Sequence, residues 1–490
     1  MTLLKRLGYG KRIKNIETVI FFKITFLYIK QVNMPNNKFA VLITLSITSF
    51  LVPYMGSSLN LALPELAQAF GLDAKELGWV TSAFLIATAV FQVPFAKIAD
   101  LFGRKKVFLL GVALFGASSV ACAWAWDFAS LIIFRVFAGL GSAMIFGTNL
   151  AILSSTYEAS ERGKSMGVLT SVVYMALAVG PFLGGILTHY FGWESVFYIP
   201  GTILVAQAIS VPFFIKNEWK EDSSKHFDKR GSFIYGFAVF CFIFGFSEFP
   251  DIYAFFLVLV GILLFVFFYN YEKHKEDPVF HVRLFGGNKV FTLASIATFF
   301  SYAATTASFF VLSLYLQFVR GFDARAAGLV LVSSAVVQSI AALFAGRLAD
   351  KFEPSKISMI GMGLNAIGLL GLVFAGLDSS IFFIVIMLLL LGLGIGLFGA
   401  PNTKVIMGSV EKKHISQASA TVGTMRLSGQ AFSMGIAMMS ISLFIGNSQI
   451  IPENFENFMQ SWKFTFVFCA VLCIVGAFAS RACVNVKRSL

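Results

Sequence analysis

Fourteen apolar runs separated by short polar segments constrain this chain more than any other feature. A helix of about 20 apolar residues spans the membrane hydrocarbon and satisfies its own backbone hydrogen bonds there. Only 13% of the residues are charged and 57% are hydrophobic, whereas soluble proteins carry roughly 25% charged residues. The sequence therefore predicts an all-α integral membrane protein with spans at 39–62, 78–96, 107–125, 130–156, 165–190, 194–215, 231–249, 252–271, 290–318, 325–349, 356–376, 380–405, 414–445 and 462–483.

The distribution of basic residues predicts the orientation of the chain. The net charge is +13, but most Lys and Arg residues fall in alternate loops, and such loops face the cytoplasm. The other set of loops contains only four: Lys75, Arg320, Arg325 and Lys463. An even number of spans then puts both termini in the cytoplasm of a multi-pass cell-membrane protein. The basicity follows topology, so no nucleic-acid partner is expected.

The polar segments also suggest a division into parts. Residues 1–38 are basic, with an apolar stretch that Lys23 interrupts, and we expect a cytoplasmic segment or a translation start at Met34. The two longest polar interruptions, 216–230 and 272–288, bracket spans seven and eight. We therefore predict an N-terminal six-helix half, a linker that contains an extra helix pair at 231–271, a C-terminal six-helix half and a cytoplasmic tail, with bounds at 39–215, 216–288, 289–483 and 484–490.

A short charged bracket, FAKIADLFGRKK at 95–106, turns the chain between spans two and three. Asp100 is a carboxylate among cations, and Gly103 allows a tight turn. A related bracket with Asp350 recurs at 344–352, between spans ten and eleven. Two copies in corresponding loops are typical of transporters built from repeated halves. The cations of the first bracket are Lys97, Arg104, Lys105 and Lys106.

This bracket resembles the cytoplasmic loop signature of the major facilitator superfamily, G-x-L-A-D-x-x-G-R-K-K. Ala96 stands where the family usually has glycine, and Glu353 replaces the later glycine of the second copy. The resemblance covers the chain from Phe39 onward and implies two six-helix halves that rock about a central site. It also implies that Asp100 closes the cytoplasmic side by pairing across to the opposite half, with Asp350 acting similarly but more weakly.

Span five carries Gly180-Pro181-x-x-Gly184-Gly185. Glycines four residues apart allow helices to approach closely, and a proline bends a helix by removing a backbone hydrogen bond. The stretch resembles the antiporter motif of the superfamily's export branches, with Ala176 in place of the first glycine. The resemblance implies efflux, and a purely structural kink is the alternative interpretation.

The end of span one, Asn60-Leu61-Ala62-Leu63-Pro64, resembles the signature of the fourteen-helix drug:proton antiporters. Those proteins usually carry an aspartate five residues before the asparagine, where this chain has Met55. Apart from Glu194, the first residue of predicted span six, we find no acidic residue within predicted spans one to six, so the coupling ion stays open, with the proton as one option and Glu248 as a candidate carrier. Gly399-Ala400-Pro401 and Arg426 resemble the same branch.

Two arginines lie inside predicted spans. A charged residue at the bilayer centre costs at least ~2.5 kcal/mol, so it should face protein or water. Arg135 shares a helical face with Gly139, Ser142, Phe146 and Asn149, and we expect that face to line a cavity, although a snorkelling arginine is the alternative. It resembles the superfamily's fourth-helix arginine motif, which is associated with proton transfer.

Arg426 shares a helix face with Gln430 and Ser433 in span thirteen. With Arg135 it gives two interior cations without a matching interior carboxylate, so both are candidates for proton transfer or for binding an anion. The favoured function is export of amphipathic or hydrophobic drug-like compounds, with transport of an anionic metabolite as the alternative and a non-transporting sensor as a weaker one. Candidate substrate-binding residues, chosen from helix faces, are Tyr54, Met55, Asn60, Gln92, Asn149, Tyr174, Gln338 and Gln430.

Nothing in the sequence favours an enzyme. The five histidines are scattered without metal-ligand spacing, and there is no nucleophile elbow. Cys469 and Cys473 lie four residues apart on one helix, which differs from the spacing of zinc sites. We therefore expect no cofactor and no metal. The expected partners are a small-molecule substrate, the lipid bilayer and, for an antiporter, the proton, with the protein acting as a monomer.

Overall fold

A computed structural model describes residues 36–220, 227–411 and 414–488. The predicted basic segment 1–38, including Met34, lies almost entirely outside this part of the chain, as do the last two residues of the predicted tail. Within the described residues the regular secondary structure is helical throughout, with no strand.

Fourteen of the described helices are long and apolar enough to cross a membrane, as the sequence predicts. A one-turn helix at Arg283–Gly287 precedes α9, and a π-helical turn at Tyr315–Val319 extends it. The spans are α1 (Asn36–Phe70), α2 (Ala74–Phe102), α3 (Arg104–Cys122), α4 (Phe128–Thr156), α5 (Ala159–Phe191), α6 (Glu194–Phe214), α7 (Lys229–Ser247), α8 (Ile252–Lys273), α9 (Lys289–Leu314), α10 (Ala324–Lys351), α11 (Pro354–Val373), α12 (Ile381–Gly408), α13 (Ile415–Phe444) and α14 (Phe455–Arg488).

Polar residues in the short loops begin many of these helices. The Asp73 carboxylate accepts a hydrogen bond from the Glu76 backbone N–H, and the Glu76 carboxylate accepts one from the Asp73 backbone N–H. This reciprocal cap satisfies donors that a helix N-terminus leaves free. Other side chains that cap a helix start in the described chain are Asp127, Asp228, Asn288, Asp323 and Ser380.

Helix α1 is longer than its predicted span of 39–62 and continues through Pro64 to Phe70. Its apolar, membrane-length segment therefore includes Glu65, which is half-buried. The expectation that span one contains no acidic residue was wrong. The helix continues through Pro64 and extends beyond the predicted boundary at residue 62.

Two sets of six helices have the same packing pattern. In the first set α1 packs on α5 and α6, α2 packs on α4, and α3 packs on α4 and α6. Adding eight to each label gives pairs that also pack: α9 with α13 and α14, α10 with α12, and α11 with α12 and α14. The fold is therefore two equivalent six-helix halves with α7 and α8 inserted between them.

The halves meet along two seams, α5 against α10 and α2 against α13. Helix α7 packs on α8, α2 and α13 and so covers the second seam from outside, while α8 leaves most of its surface exposed. We call the end of the bundle where α1 begins and α14 ends the terminal face, and the opposite end the far face.

The halves are joined at the far face. The Ala74 backbone N–H donates to the Ser448 carbonyl at 3.1 Å, and the Ser313 hydroxyl donates to the Asn60 carbonyl at 2.6 Å. At the other seam, the Gly328 Cα lies against the backbone of Pro181. These contacts close the far face between the two halves.

Candidate substrate cavity

A central cavity of about 180 Å³ lies between the two halves. Four helices of each half line it: α1, α2, α4 and α5 on one side, and α9, α10, α12 and α13 on the other. These are the same four helices in each half once the offset of eight is applied. The cavity therefore lies on the axis that relates the halves, where alternating-access transporters place their substrate.

Arg135 reaches this cavity from α4 and is 1% exposed. Its Nε donates to the Val80 carbonyl at 2.8 Å, and its guanidinium carbon lies 4.6 Å from the centre of the Phe84 ring. Its Nη2 is buried and has no hydrogen-bond partner. The group is therefore fixed in place by its neighbours and still has a donor available for a ligand or water.

Arg426 lines the same cavity from α13, in the opposite half. It is half-buried, and its guanidinium carbon lies 5.3 Å from the centre of the Phe146 ring. Tyr174 is a close electrostatic neighbour. Within the described chain no carboxylate lies within ion-pair distance of Arg135 or Arg426. The cavity thus holds two cations and aromatic rings.

Four of the predicted substrate-binding residues line this cavity. Tyr174 stands beside Tyr302, so the two rings bring phenolic groups from opposite halves together. Asn60 has a buried side-chain oxygen without a partner. The four residues in the cavity wall are Asn60, Tyr174, Gln338 and Gln430.

The other four are absent from the cavity wall. Tyr54 is buried, and Met55 packs toward α3, where its sulfur lies 3.7 Å from the Ser119 hydroxyl. Gln92 lies beside Gly423 at the α2–α13 seam. Asn149 donates to the Ser49 hydroxyl at 2.8 Å. The geometry contradicts their placement in the cavity, because each helix is rotated so that these side chains meet a neighbouring helix.

The predicted cavity face of α4 is also only partly correct. Arg135 and Phe146 line the cavity. Gly139 instead packs against the backbone of Phe84 on α2, and Ser142 is buried without a hydrogen-bond partner.

Glu248 lies at the far face and is 7% exposed. Its carboxylate accepts from Lys75 Nζ at 2.8 Å and from the Tyr253 hydroxyl at 2.6 Å. This ion pair ties α7 to the start of α2. Among the described residues that line the cavity there is no Asp or Glu. A carboxylate that couples transport to an ion would therefore lie outside the cavity wall.

The glycines of α5 pack at two different contacts. A side chain at Gly180 would meet Ser57, and one at Gly184 would lie 2.7 Å from the Ser58 Cα, both on α1 of the same half. A side chain at Gly185 would run into the backbone of Ala324 on α10. The motif therefore sets both the packing of α5 on α1 and the close approach of α5 to α10. Pro181, within the motif, lines the cavity.

The first charged bracket joins helices of the N-terminal half. The Asp100 carboxylate accepts from Arg104 at 2.7 Å, and Arg104 also donates to the Ser155 hydroxyl of α4 at 2.6 Å. Gly103 adopts a φ of +122°, which glycine tolerates. The Lys105 backbone N–H donates to Glu218 at 2.9 Å. The Asp100–Arg104 and Arg104–Ser155 bonds lie within the N-terminal half, and the pairing of Asp100 across to the other half that the resemblance implies stays a prediction.

The second bracket makes the equivalent connection. The Asp350 carboxylate accepts from Lys404 Nζ at 2.6 Å, and Lys404 also donates to the Ala349 carbonyl at 2.8 Å. The bond links α10 to α12, just as the first bracket links α2 to α4. Both brackets therefore hold corresponding helix pairs at the terminal face.

Sequence reasoning missed three contributors to these sites. Phe84 and Tyr302 line the cavity, but their apolar helices look no different from those that face lipid. Glu218 accepts from the start of α3 and lies against Gly103. Its place in the loop just after α6, close in sequence to several other charged residues, gave no signal that could single it out.

The fold of two equivalent six-helix halves around a central cavity is that of a membrane transporter. The profile of the Major Facilitator Superfamily matches residues 45–272 and 294–488. The chain belongs to this superfamily.

Several relatives are similar over most of the chain. The riboflavin transporter RibZ of Clostridioides difficile is 26% identical over 446 residues, covering 90% of this chain and 96% of that protein. The multidrug resistance protein Stp of Mycobacterium tuberculosis is 27% identical, covering 86% and 79%. The tetracenomycin C resistance and export protein of Streptomyces glaucescens is 25% identical, covering 84% and 77%.

Among solved structures, a bacterial homolog of the human lysosomal transporter Spinster, in an inward-facing and unoccupied conformation, superposes with a TM-score of 0.67. It is 16% identical and covers 92% of this chain and 99% of that chain. At this identity the similarity concerns the fold alone.

Proposed function

We propose that this transporter exports amphipathic, drug-like compounds and that it favours aromatic compounds carrying a negative charge. The observation that carries the proposal is the cavity wall, which combines Arg135 and Arg426 with aromatic rings and contains no Asp or Glu among its described residues. A cation in a largely apolar cavity attracts an anion more strongly than it would in water. Aromatic rings bind flat apolar groups at the same time.

The names of several relatives support a small organic substrate. They include a riboflavin transporter, a multidrug resistance protein and a resistance and export protein. The glycine motif of α5 supports export as the direction. A non-anionic hydrophobic substrate is the second candidate, and the aromatic rings that both halves contribute to the wall, including Phe84 and Phe309, favour it.

We further propose that the halves alternate between a form closed at the far face and a form closed at the terminal face. The far face is the extracellular one if the basic loops are cytoplasmic, and both termini are then cytoplasmic. Opening the far face must break the bond between Ser313 and Asn60 and separate Gly185 from α10. Asp100 and Asp350 would keep helix pairs rigid during this motion.

This proposal also includes the division of the chain at residues 216 and 288, a monomeric state and proton antiport.

Since Met55 points away from the cavity, an aspartate at that position would not line the cavity in this conformation. Glu248 is engaged by Lys75, which favours a structural role. We therefore expect the side chain that couples transport to the proton at a different position.

The test uses the purified protein in lipid vesicles with three matched fluorescent dyes: an anionic xanthene, its neutral ester and a cationic amine derivative. We expect the anionic dye to be transported faster than the cationic dye, with imposed pH and voltage gradients showing which ion drives it. Preference for the cationic dye would refute the assigned role of the arginines. Binding without flux for every dye would support the sensor instead.

A further inference from the structure

Titratable side chains from both halves meet at the far-face end of the α5–α10 seam, outside the cavity. His189 lies in the last turn of α5, and its Nδ1 is 3.4 Å from the Asp323 carboxylate, which begins α10. Glu65 of α1 faces His189 and Glu194, the first residue of α6. Asp323 and Glu65 therefore lie near one imidazole, and Glu194 lies near Glu65, where two helix ends of one half meet the other half.

The local geometry leaves Asp323 able to make this contact. Its Oδ1 accepts from the Ala326 backbone N–H at 2.7 Å and caps α10, while Oδ2 faces His189. The cap fixes the carboxylate on the C-terminal half, and the histidine belongs to the N-terminal half. The contact is consequently lost whenever the seam opens.

His189 has further neighbours on α5 and α10. The His189 ring lies edge-on to Tyr190 with centroids 4.7 Å apart, and the Tyr190 hydroxyl accepts from Arg325 of α10 at 3.2 Å. His189 is 36% exposed and Asp323 is 50% exposed, so protons from solution reach both groups.

We propose that His189 and Asp323, together with Glu65 and Glu194, form a proton-binding site that links pH at the far face to opening of the seam. His189 takes one proton from the far-side solution, and its Nδ1–H then donates to Asp323. Loss of that proton removes the charge attraction between the halves. This inference rests on the alternating-access motion of the proposed function.

The linkage has a fixed direction. Because the proton binds the closed seam more tightly than the open one, protonation shifts the population toward closure. Low pH at the far face therefore favours the conformation described here, and raising pH favours opening. Histidine is the side chain whose ordinary charge change falls between about pH 5 and 8.

The test measures the distance across the far face by double electron–electron resonance in lipid nanodiscs. Spin labels are attached at Trp126→Cys and Phe374→Cys, two exposed far-face positions on opposite halves. The native cysteines are buried, which limits unwanted labelling. We expect the ratio of open to closed populations to rise about two- to fivefold from pH 5 to pH 8, the size of effect measured for exposed ion pairs.

The variants His189→Gln and Asp323→Asn should each flatten this pH profile. The matched control is His274→Gln, an exposed histidine at the terminal face, and it should keep the wild-type profile. A pH-independent wild-type ratio, or an unchanged profile in His189→Gln, would overturn the inference. Dye flux of the same variants in sealed lipid vesicles separates the two proposals, because transport that continues without a pH-dependent distance refutes only the proton site.

Discussion

The charge of Arg426 provides the sharpest test of the substrate cavity. Arg426 is half-buried and its neighbours are aromatic rings and uncharged polar groups, so replacing it by glutamine keeps a hydrogen-bond donor and removes the charge. Arg135 is a poorer probe because it is 1% exposed and bonded to Val80. Its loss would disturb packing as well as charge.

The expected magnitude follows from the environment of the guanidinium. At about 4 Å and an effective dielectric constant of about 20, an ion pair gains ~4 kcal/mol before desolvation is subtracted. Net contributions of charged hydrogen bonds are about 1.5–3 kcal/mol. Arg426→Gln should therefore weaken binding of an anionic dye roughly 10- to 150-fold. A neutral ester of the same dye should lose less than about fivefold.

The assay is fluorescence anisotropy of each dye with the protein in nanodiscs. Arg481→Gln is the matched control, since Arg481 is exposed near the end of α14, and it should leave both affinities unchanged. Equal losses for the anionic and neutral dyes would show that Arg426 shapes the cavity without recognising charge. An unchanged affinity for the anionic dye would refute the reasoning outright.

Three further variants test other parts of the site. Asp100→Asn should abolish dye flux while the amount of protein in the membrane, measured by immunoblot, stays normal; normal flux would remove its gating role. Gly185→Leu should hold the far face open, because the new side chain runs into the backbone of α10; an unchanged spin-label distance would contradict this packing. Glu248→Gln should leave dye binding unchanged, since Glu248 lies outside the cavity. A loss of binding would show that Glu248 takes part in substrate binding.

Hydropathy and loop charge were enough to predict the fourteen spans and the repeated architecture, because the membrane requires long apolar helices with satisfied backbones. The end of α1 was missed, since Pro64 and Glu65 suggested a boundary that the helix passes through. Proline is tolerated in membrane helices when neighbours restore the lost bonds.

The rotation of each helix about its axis could not be predicted in the same way. A helix such as α1 is apolar all round, so side chains that face the cavity, a neighbouring helix or lipid look alike in sequence. Arg135 and Arg426 were correctly placed because their charge excludes lipid. Met55 and Asn149 carry no such constraint, and the packing of α3 and α1 decided where they point.

The inserted helix pair breaks the equivalence of the two seams. Because α7 covers α2 and α13, a compound dissolved in the bilayer cannot enter sideways between those helices without displacing it. The α5–α10 seam has no such cover among the described helices. If the substrate is lipophilic, as proposed, a lateral path from the membrane to the cavity would therefore run along the α5–α10 seam, and the two seams of the repeated fold would differ in function.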